Sequence, residues 1–376
     1  MSTHSKTAPF LSKIIARELV TKPGSTKMTW HIALDLTDSS LTYAVGDSIA
    51  VIPENCPSIV ARYITALGYT GDESVTLPKS GEVVTLELFL RTKANLSRLT
   101  SAFCRALMNH IEDAKLIQNA LDNESLLAEF LKSYEPLELL EKNSHSSIPL
   151  EEIPLLFASM LPRFYSIASC QKTYPNQVHL TVTLSSYTYK NEVRYGVATH
   201  YLCHLAKESK SAIPIYLQPN HGFTLPVDGS VPILMIGPGT GVAPFRAFMQ
   251  ERVALQHKGR NWLFFGERES AYDFYYEEEW NELIKCGHLK LTTAFSRDQE
   301  EKIYVQNRLL ENAQELWKFL EEGAIIYICG DATNMAKDVD NALHQIAQSQ
   351  GGMSEVDARA FFKSLRKTKR YLLDVY

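Results

Sequence analysis

The chain has 376 residues, 45% of them hydrophobic and 22% charged. That is the balance of a folded protein too long for one ordinary core, so two domains are expected. A formal net charge of −5 gives no reason to expect nucleic acid or an anionic membrane as partner.

The N-terminal leader, MSTHSKTAPFLSKIIAREL, has no apolar core of signal-peptide length. No apolar run approaches the ~20 residues of a membrane span, and a cytoplasmic protein without membrane insertion is expected. Residues 10–53 read as strands: Thr29–Leu36 alternates apolar and polar, and Tyr43–Pro53 is a second such segment turned by Gly46-Asp47. From Pro57 to about Glu151 the pattern turns helical. Helices are expected over Ser58–Leu67 (with Gly68 as its stop), Leu96–Ile111, Ile117–Lys132 and Leu137–Lys142. A helical insertion within a β domain explains this block better than a loop of that length. Strands return at Arg163–Ala168 and Val178–Leu184, followed by a short helix Thr199–Ala206 and a strand Ile213–Leu217, and Pro226 and Asp228-Gly229 supply turns. From Val231 onward strands (Ile233–Ile236, Asn261–Gly266, Lys290–Phe295, Ala324–Cys329) alternate with helices (Pro244–Gln256, Tyr275–Lys285, Ile303–Leu310, Ala313–Glu322, Asn334–Ser349, Glu355–Lys367). Such alternation predicts a doubly wound parallel sheet.

Ligands of open parallel sheets sit at the carboxyl ends of the strands, and four loops fall there. The first is Gly237–Gly241 in VPILMIGPGTGVAPF, where strand, glycine turn and helix bring backbone N–H groups to a phosphate. A tight turn without a ligand is the plainer reading of that loop alone. The others are Phe264–Arg268, Phe295–Asp298 with Lys302–Gln306, and Cys329–Asp331. Ser296, Arg297, Lys302 and Tyr304 offer a hydroxyl, two cations and an aromatic face, the set that an adenosine 2′-phosphate needs. With no acidic residue there to clamp a free ribose hydroxyl, NADP is favoured over NAD; a solvated charged loop is the competing reading. In the β-rich half, Arg163–Ser166 offers a cation and a ring, and Gly196–Thr199 opens a helix with free N–H groups and a capping hydroxyl. An ordinary strand and an ordinary cap explain these equally. The C-terminal segment Arg370–Tyr376 is apolar and ends in an aromatic residue, which fits either an edge strand or a ring lying across a cofactor. Six cysteines stand without a CxxC pair, so no metal site is expected.

These residues, in this order, resemble the ferredoxin–NADP reductase superfamily, in its diflavin reductase branch, and most of all the flavoprotein (alpha) components of NADPH-dependent sulfite reductases. RFYSIASC, GPGTGVAPFRAFMQER, FFGER, SRDQEEKIYVQ, IYICGDATNMAKDV and KRYLLDVY carry the resemblance over essentially the whole chain. It implies an antiparallel β-barrel FAD-binding domain with a helical connecting insertion, followed by a doubly wound parallel-sheet NADP(H)-binding domain. The implied boundaries are 1–53 and 151–226 for the two parts of the barrel, 54–150 for the insertion and 227–376 for the NADP(H) domain.

By the same resemblance Arg163, Phe164, Tyr165 and Ser166 bind FAD, with Thr181, Val182, Thr183 and Tyr187 lining its site and Gly196, Val197, Ala198 and Thr199 holding its pyrophosphate. Gly239, Thr240 and Gly241 cradle the NADPH pyrophosphate, with Asp338 nearby. Ser296, Arg297, Lys302, Ile303, Tyr304, Val305 and Gln306 take its 2′-phosphate and adenine. Ser166, Cys329 and Asp374 serve hydride transfer, and Tyr376 stacks over the flavin and must swing aside. Three departures stand out. Only a short leader precedes the barrel, so FMN is not expected on this chain. Thr224 stands where the family has arginine, and Cys170 and Thr199 replace serines. The implied function is an NADPH-dependent FAD reductase feeding a separate hemoprotein, flavodoxin or ferredoxin. The alternatives are a non-catalytic FAD/NADP-binding subunit or scaffold, and a flavin-free NADP dehydrogenase, for which His221 is the nearest acid–base candidate.

Overall fold

The computed structural model describes residues 4–78, 80–111, 114–143 and 148–376. The first three residues of the leader, and Lys79, Glu112, Asp113 and residues 144–147 of the helical block, lie outside the described residues. In chain order the strands are β1 (Phe10–Ser12), β2 (Ile14–Leu19), β3 (Thr29–Asp35), β4 (Ser48–Val51), β5 (Ser74–Thr76), β6 (Val83–Thr85), β7 (Arg163–Ser166) and β8 (Gln177–Thr183). They continue with β9 (Ser186–Tyr189), β10 (Glu192–Tyr195), β11 (Ile213–Gln218), β12 (Ile233–Ile236), β13 (Asn261–Glu267), β14 (Lys290–Phe295), β15 (Ile325–Gly330) and β16 (Tyr371–Val375). Among the described residues no helix is long and apolar enough to cross a membrane.

By contacts the chain forms two compact units. The first comprises residues 1–51, 164–184 and 206–376 and contains both the barrel strands and the parallel sheet. Its barrel part is built from a sheet ordered β1-β11-β4-β7 and a sheet ordered β2-β3-β8, antiparallel in every registered pair. The alternation read in TWHIALDL has its cause here. Ile32 and Leu34 point into the barrel, while Thr29 and His31 point at the aromatic side chains that follow β13.

The parallel sheet has the order β14-β13-β12-β15-β16. Its strands are nearly continuous apolar runs because both faces are covered. Leu234, Ile236, Trp262, Phe264, Ile326 and Ile328 pack on the helices Val305–Glu311, Ala313–Glu321, Met335–Ser349 and Glu355–Lys367. Their neighbours Ile233, Met235, Leu263, Phe265, Tyr327 and Cys329 face the helices Ala243–Ala254 and Glu277–Lys285. The fold is thus doubly wound, as the alternation predicts.

The second unit comprises residues 52–163 and 185–205, so residues 185–205 cluster with the helical block. The expected helix Ile117–Lys132 divides into Lys115–Leu121 and Glu124–Ser133. Asn123 is the reason: its side chain caps the second helix by accepting from the N–H groups of Ser125 and Leu126. Leu96–Ile111 shortens to Ser101–Met108 for the same kind of reason, Thr100 capping it through the N–H of Phe103. Thr199–Ala206 becomes a single turn, Val197–His200, continued by a π turn over Tyr201–Leu205.

Within the first unit the barrel and the parallel sheet are joined by Arg246, which is 4% exposed. Its Nη1 donates to the carbonyl of Ala168 at 2.7 Å and its Nε and Nη2 form a fork on Glu279 at 2.8 and 2.7 Å. The guanidinium also lies 4.8 Å over the ring of Tyr276. His31 and His179 meet edge to face beside it, at 4.7 Å. Burial, reinforced by the Arg246 charge, lowers both imidazoles to about 3.

The two histidines therefore stay neutral in the folded chain, whereas the unfolded chain binds protons below about pH 6.5. Stability is complete above that pH and falls as the pH drops toward 3. Between pH 7 and 5 each histidine should remove about 2 kcal/mol from the unfolding free energy. Urea unfolding at the two pH values checks this, and His31→Gln should make the loss smaller by one histidine's share.

Candidate functional site

All five parallel strands end on one edge, and the registers fix which loops are neighbours. Ile236 lies beside Phe264 on one side and Ile328 on the other, Glu267 beside Phe295, and Gly330 beside Val375. The four loops singled out in the sequence are therefore adjacent. After Ile236 the chain turns through Pro238 into a 3₁₀ turn, Gly239–Val242, which feeds the helix Ala243–Ala254 with Pro244 in its first turn. Gly239 has φ +59°, a left-handed conformation that suits glycine, and a Cβ on Gly241 would lie 2.1 Å from the carbonyl oxygen of Cys329. No larger residue fits against the end of β15. The loop thus keeps its backbone open, with the N–H groups of a helix start directed outward.

The next loop is held by backbone bonds. The N–H of Ser296 donates to Glu267 O at 2.9 Å and that of Arg297 to Arg268 O at 2.8 Å. Arg297, Lys302 and Tyr304 are exposed, Ser296 half-buried. Among the described residues Arg297 and Lys302 pair with no carboxylate, so their charge is available to an anion. Tyr304 caps the helix Val305–Glu311, its N–H donating to Asn307 Oδ1 at 2.9 Å. Val305 is 2% exposed and Ile303 packs on the same core, so those two offer backbone only. Gln306 donates to Asp338 at 3.3 Å, tying two of the expected residues together.

Lys27 escaped the sequence reading. It comes from the barrel loop before β3 and pairs with Glu267, whose Oε1 would lie 3.4 Å from a Cβ on Gly239. Glu267 also accepts from Tyr275 at 3.0 Å and from the N–H of Arg268 at 2.8 Å. A cation thus stands beside the glycine loop. No local pattern announces it, because its partner is 240 residues away.

Ser166, Cys329 and Asp374 come together. Ser166 Oγ donates to Asp374 Oδ2 at 2.7 Å, and the Cys329 thiol lies 3.7 Å from the same oxygen. Cys329 and Asp374 are register partners on β15 and β16. Burial, with Asp374 adjacent, pushes the Cys329 thiol well above its ordinary range, so it keeps its proton. Both readings of the C-terminal segment meet here. Residues 371–375 form the edge strand β16, and Tyr376 beyond it is 65% exposed, its hydroxyl 2.9 Å from Thr240 Oγ1 in the glycine loop.

Of the residues assigned to flavin in the first unit, Tyr165 is half-buried on β7, and Phe164 is exposed and edge-on to Tyr216. On β8, Thr181 bonds the hydroxyl of Tyr276 at 2.7 Å and Thr183 that of Thr29 at 2.8 Å, while Val182 is in the core. Those three side chains are engaged within the protein. Cys170 is buried, with its thiol 2.8 Å from Glu251, and burial and that carboxylate raise its pKa. Thr224 holds Tyr327 through its carbonyl at 2.8 Å, and its exposed side chain leaves the family's arginine without a substitute.

In the second unit Arg163 is exposed, and Thr199 Oγ1 accepts from the N–H of Ser185 at 3.1 Å and donates to Gly196 O at 3.0 Å. Tyr187 and Val197 line a cavity of about 310 Å³ together with Arg62, Arg194, Tyr195 and His200. Tyr195 stacks on His200 at 4.6 Å, and burial lowers the imidazole. Tyr187 donates to Glu135, and burial together with that carboxylate raises its phenol to about 12.

Comparison with known proteins agrees with this arrangement. Residues 2–201 match the family model described as FAD binding domain, and residues 235–341 match the one described as oxidoreductase NAD-binding domain. The chain is 38% identical over 374 residues to the sulfite reductase [NADPH] flavoprotein alpha-component of Vibrio vulnificus (strain CMCP6), covering 99% of this chain and 60% of that protein. It is 39% identical over 379 residues to the protein of that name from Bacillus subtilis (strain 168), covering 100% of this chain and 62% of that protein. The chain therefore spans about three fifths of the length of the curated relatives it matches.

The close approach at Gly241 is open to test. Gly241→Ala must push the loop away from the Cys329 carbonyl, at a cost of about 1–3 kcal/mol in stability. The expected outcome is a lowered thermal midpoint together with weakened binding of NADP⁺ in calorimetry.

Proposed function

This chain belongs to the FAD binding domain family of flavoproteins, and from that membership we propose that it is an NADPH-dependent reductase. In this reading it moves a hydride from NADPH to FAD and passes the electrons to a separate acceptor protein. The observation that carries the reading is the joining of Ser166, Cys329 and Asp374 at the sheet edge, next to a glycine loop and two unpaired cations.

The residues fit the two nucleotides. Gly239, Thr240 and Gly241 leave room for a pyrophosphate that any Cβ at Gly241 would deny. Ser296, Arg297 and Lys302 suit a 2′-phosphate, with Tyr304 and Gln306 beside the adenine. For FAD we assign Arg163, Tyr165, Ser166, Tyr187 and the Gly196–Thr199 turn, with backbone contributions from Thr181–Thr183. FAD, when bound, supplies the ring that accepts the hydride and releases electrons singly.

The protein's part is alignment and electrostatics. Ser166 keeps its proton on Oγ and donates it to Asp374, and the thiol of Cys329 also stays protonated. None of the three needs to act as a base. The carboxylate of Asp374 is placed to face the positive charge that hydride loss leaves on the nicotinamide. Tyr376 acts as a lid that must leave before the nicotinamide can stack, a gating step. The acceptor is proposed to be a hemoprotein, such as that of a sulfite reductase, or a flavodoxin or ferredoxin. Six free cysteines suit a reducing, cytoplasmic setting.

Three measurements test the proposal. NADPH should bleach the bound flavin under anaerobic conditions; a yellow protein that NADPH leaves oxidised would be a binding subunit instead. Arg297→Ala should weaken NADPH binding by about 1.5–3 kcal/mol, the worth of one charge-assisted phosphate contact. NADH binding should be untouched by that change. Tyr376→Ala should relax the preference for NADPH over NADH in steady-state kinetics, and an unaltered preference counts against the lid.

A further inference from the structure

Asp374 sits on β16, an edge strand whose outer side has no partner strand. Its backbone is held by β15 alone, yet its carboxylate must hold a fixed direction to serve the reaction. The structure shows what holds it. Ser166 binds Oδ2 at 2.7 Å, and Asn220 Nδ2 approaches Oδ1 at 3.4 Å from the segment that follows β11. Asn220 is anchored in turn, its N–H donating to Asp47 Oδ1 at 2.8 Å. Asp47 also accepts, through its backbone carbonyl, from the N–H of Ile167 at 3.0 Å, and Ile167 is the residue after Ser166.

The four contacts close a ring: Ser166 to Asp374, Asp374 to Asn220, Asn220 to Asp47, and Asp47 back to the residue beside Ser166. Asp47 is 7% exposed and its other carboxylate oxygen accepts from the N–H of Ala44 at 2.9 Å, so this corner is rigid. The amide orientation of Asn220 follows from its own partners. Oδ1 accepts from the N–H of Gly222 at 3.3 Å, which leaves Nδ2 to face the carboxylate.

We propose that Asn220 is a positioning residue for hydride transfer, acting through Asp374. It supplies the second donor that stops the carboxylate turning about its side-chain torsions, so that Ser166 and Asp374 stay registered. The proposal rests on the reductase reading given above, but its structural half does not depend on it.

Two substitutions separate positioning from mere loop support. Asn220→Asp keeps the oxygen that accepts from Gly222 while removing the donor and confronting Asp374 with a second carboxylate. Asn220→Ala removes both. If Asn220 positions Asp374, stopped-flow flavin reduction by NADPH falls about tenfold or more in both variants, as expected for one hydrogen bond to a charged group. KM for NADPH, FAD content and thermal midpoint of Asn220→Asp stay close to wild type. In the crystal structure of Asn220→Asp the carboxylate of Asp374 turns away from Ser166 Oγ. Wild-type rates in Asn220→Asp, or a raised KM with the rate constant unchanged, overturn the proposal. So does a retained Ser166–Asp374 bond in the crystal. Failure of NADPH to bleach the wild-type flavin would instead refute the reductase reading, and the crystallographic comparison still decides the role of Asn220.

Discussion

The buried guanidinium of Arg246 fixes how the barrel strands meet the parallel sheet, and the chemistry depends on that meeting. Ser166 belongs to one part and Asp374 to the other, so their 2.7 Å bond requires the two to be held to a fraction of an ångström. Arg246 stands on the helix that begins at the glycine loop and reaches the carbonyl of Ala168, two residues past Ser166. One side chain thereby couples the phosphate loop to the flavin-side strand. Its planar fork satisfies Glu279 and a backbone carbonyl at once, which a lysine could not do.

The surroundings of Arg246 accept strain and desolvation to make that joint. Tyr276, beneath the guanidinium, has φ +58°, a conformation costing on the order of 1 kcal/mol or more for a residue with a bulky side chain. Its hydroxyl bonds Thr181 at 2.7 Å and lies 3.2 Å from His31. The two imidazoles are kept uncharged next to a permanent cation. A joint of neutral rings around a single paired charge avoids the penalty that further buried charges would carry.

Much of this was legible in the sequence where local pattern and structure share a cause. The apolar runs ending in Ile236, Gly266 and Cys329 are strands because both faces of the sheet are covered, and their ends mark the site. The hairpin β9–β10 was invisible because Ser186–Tyr189 and Glu192–Tyr195 are largely exposed and carry no alternation. The helix Leu86–Thr92 is too short to show a period, and β5 and β6 have three residues each. At the site, glycine spacing and the clustered cations of Ser296–Lys302 could be read directly, whereas the roles of Ser166, Cys329 and Asp374 rested on family resemblance. Lys27, Asp47 and Asn220 gave no signal at all. Each matters through a partner far along the chain, and single asparagines, aspartates and lysines are everywhere on protein surfaces.

The contact between Tyr376 and Thr240 has a thermodynamic consequence. The hydroxyl that would meet a bound pyrophosphate is the same one that holds the terminal ring in place. Arrival of the phosphate and departure of the ring are then a substitution at one oxygen, one hydrogen bond replacing another. Because the two bonds are alike in strength, uncovering the flavin face is nearly free of enthalpic cost once the nucleotide has docked, and costly before it. A nucleoside lacking the diphosphate would have to displace the ring without that exchange.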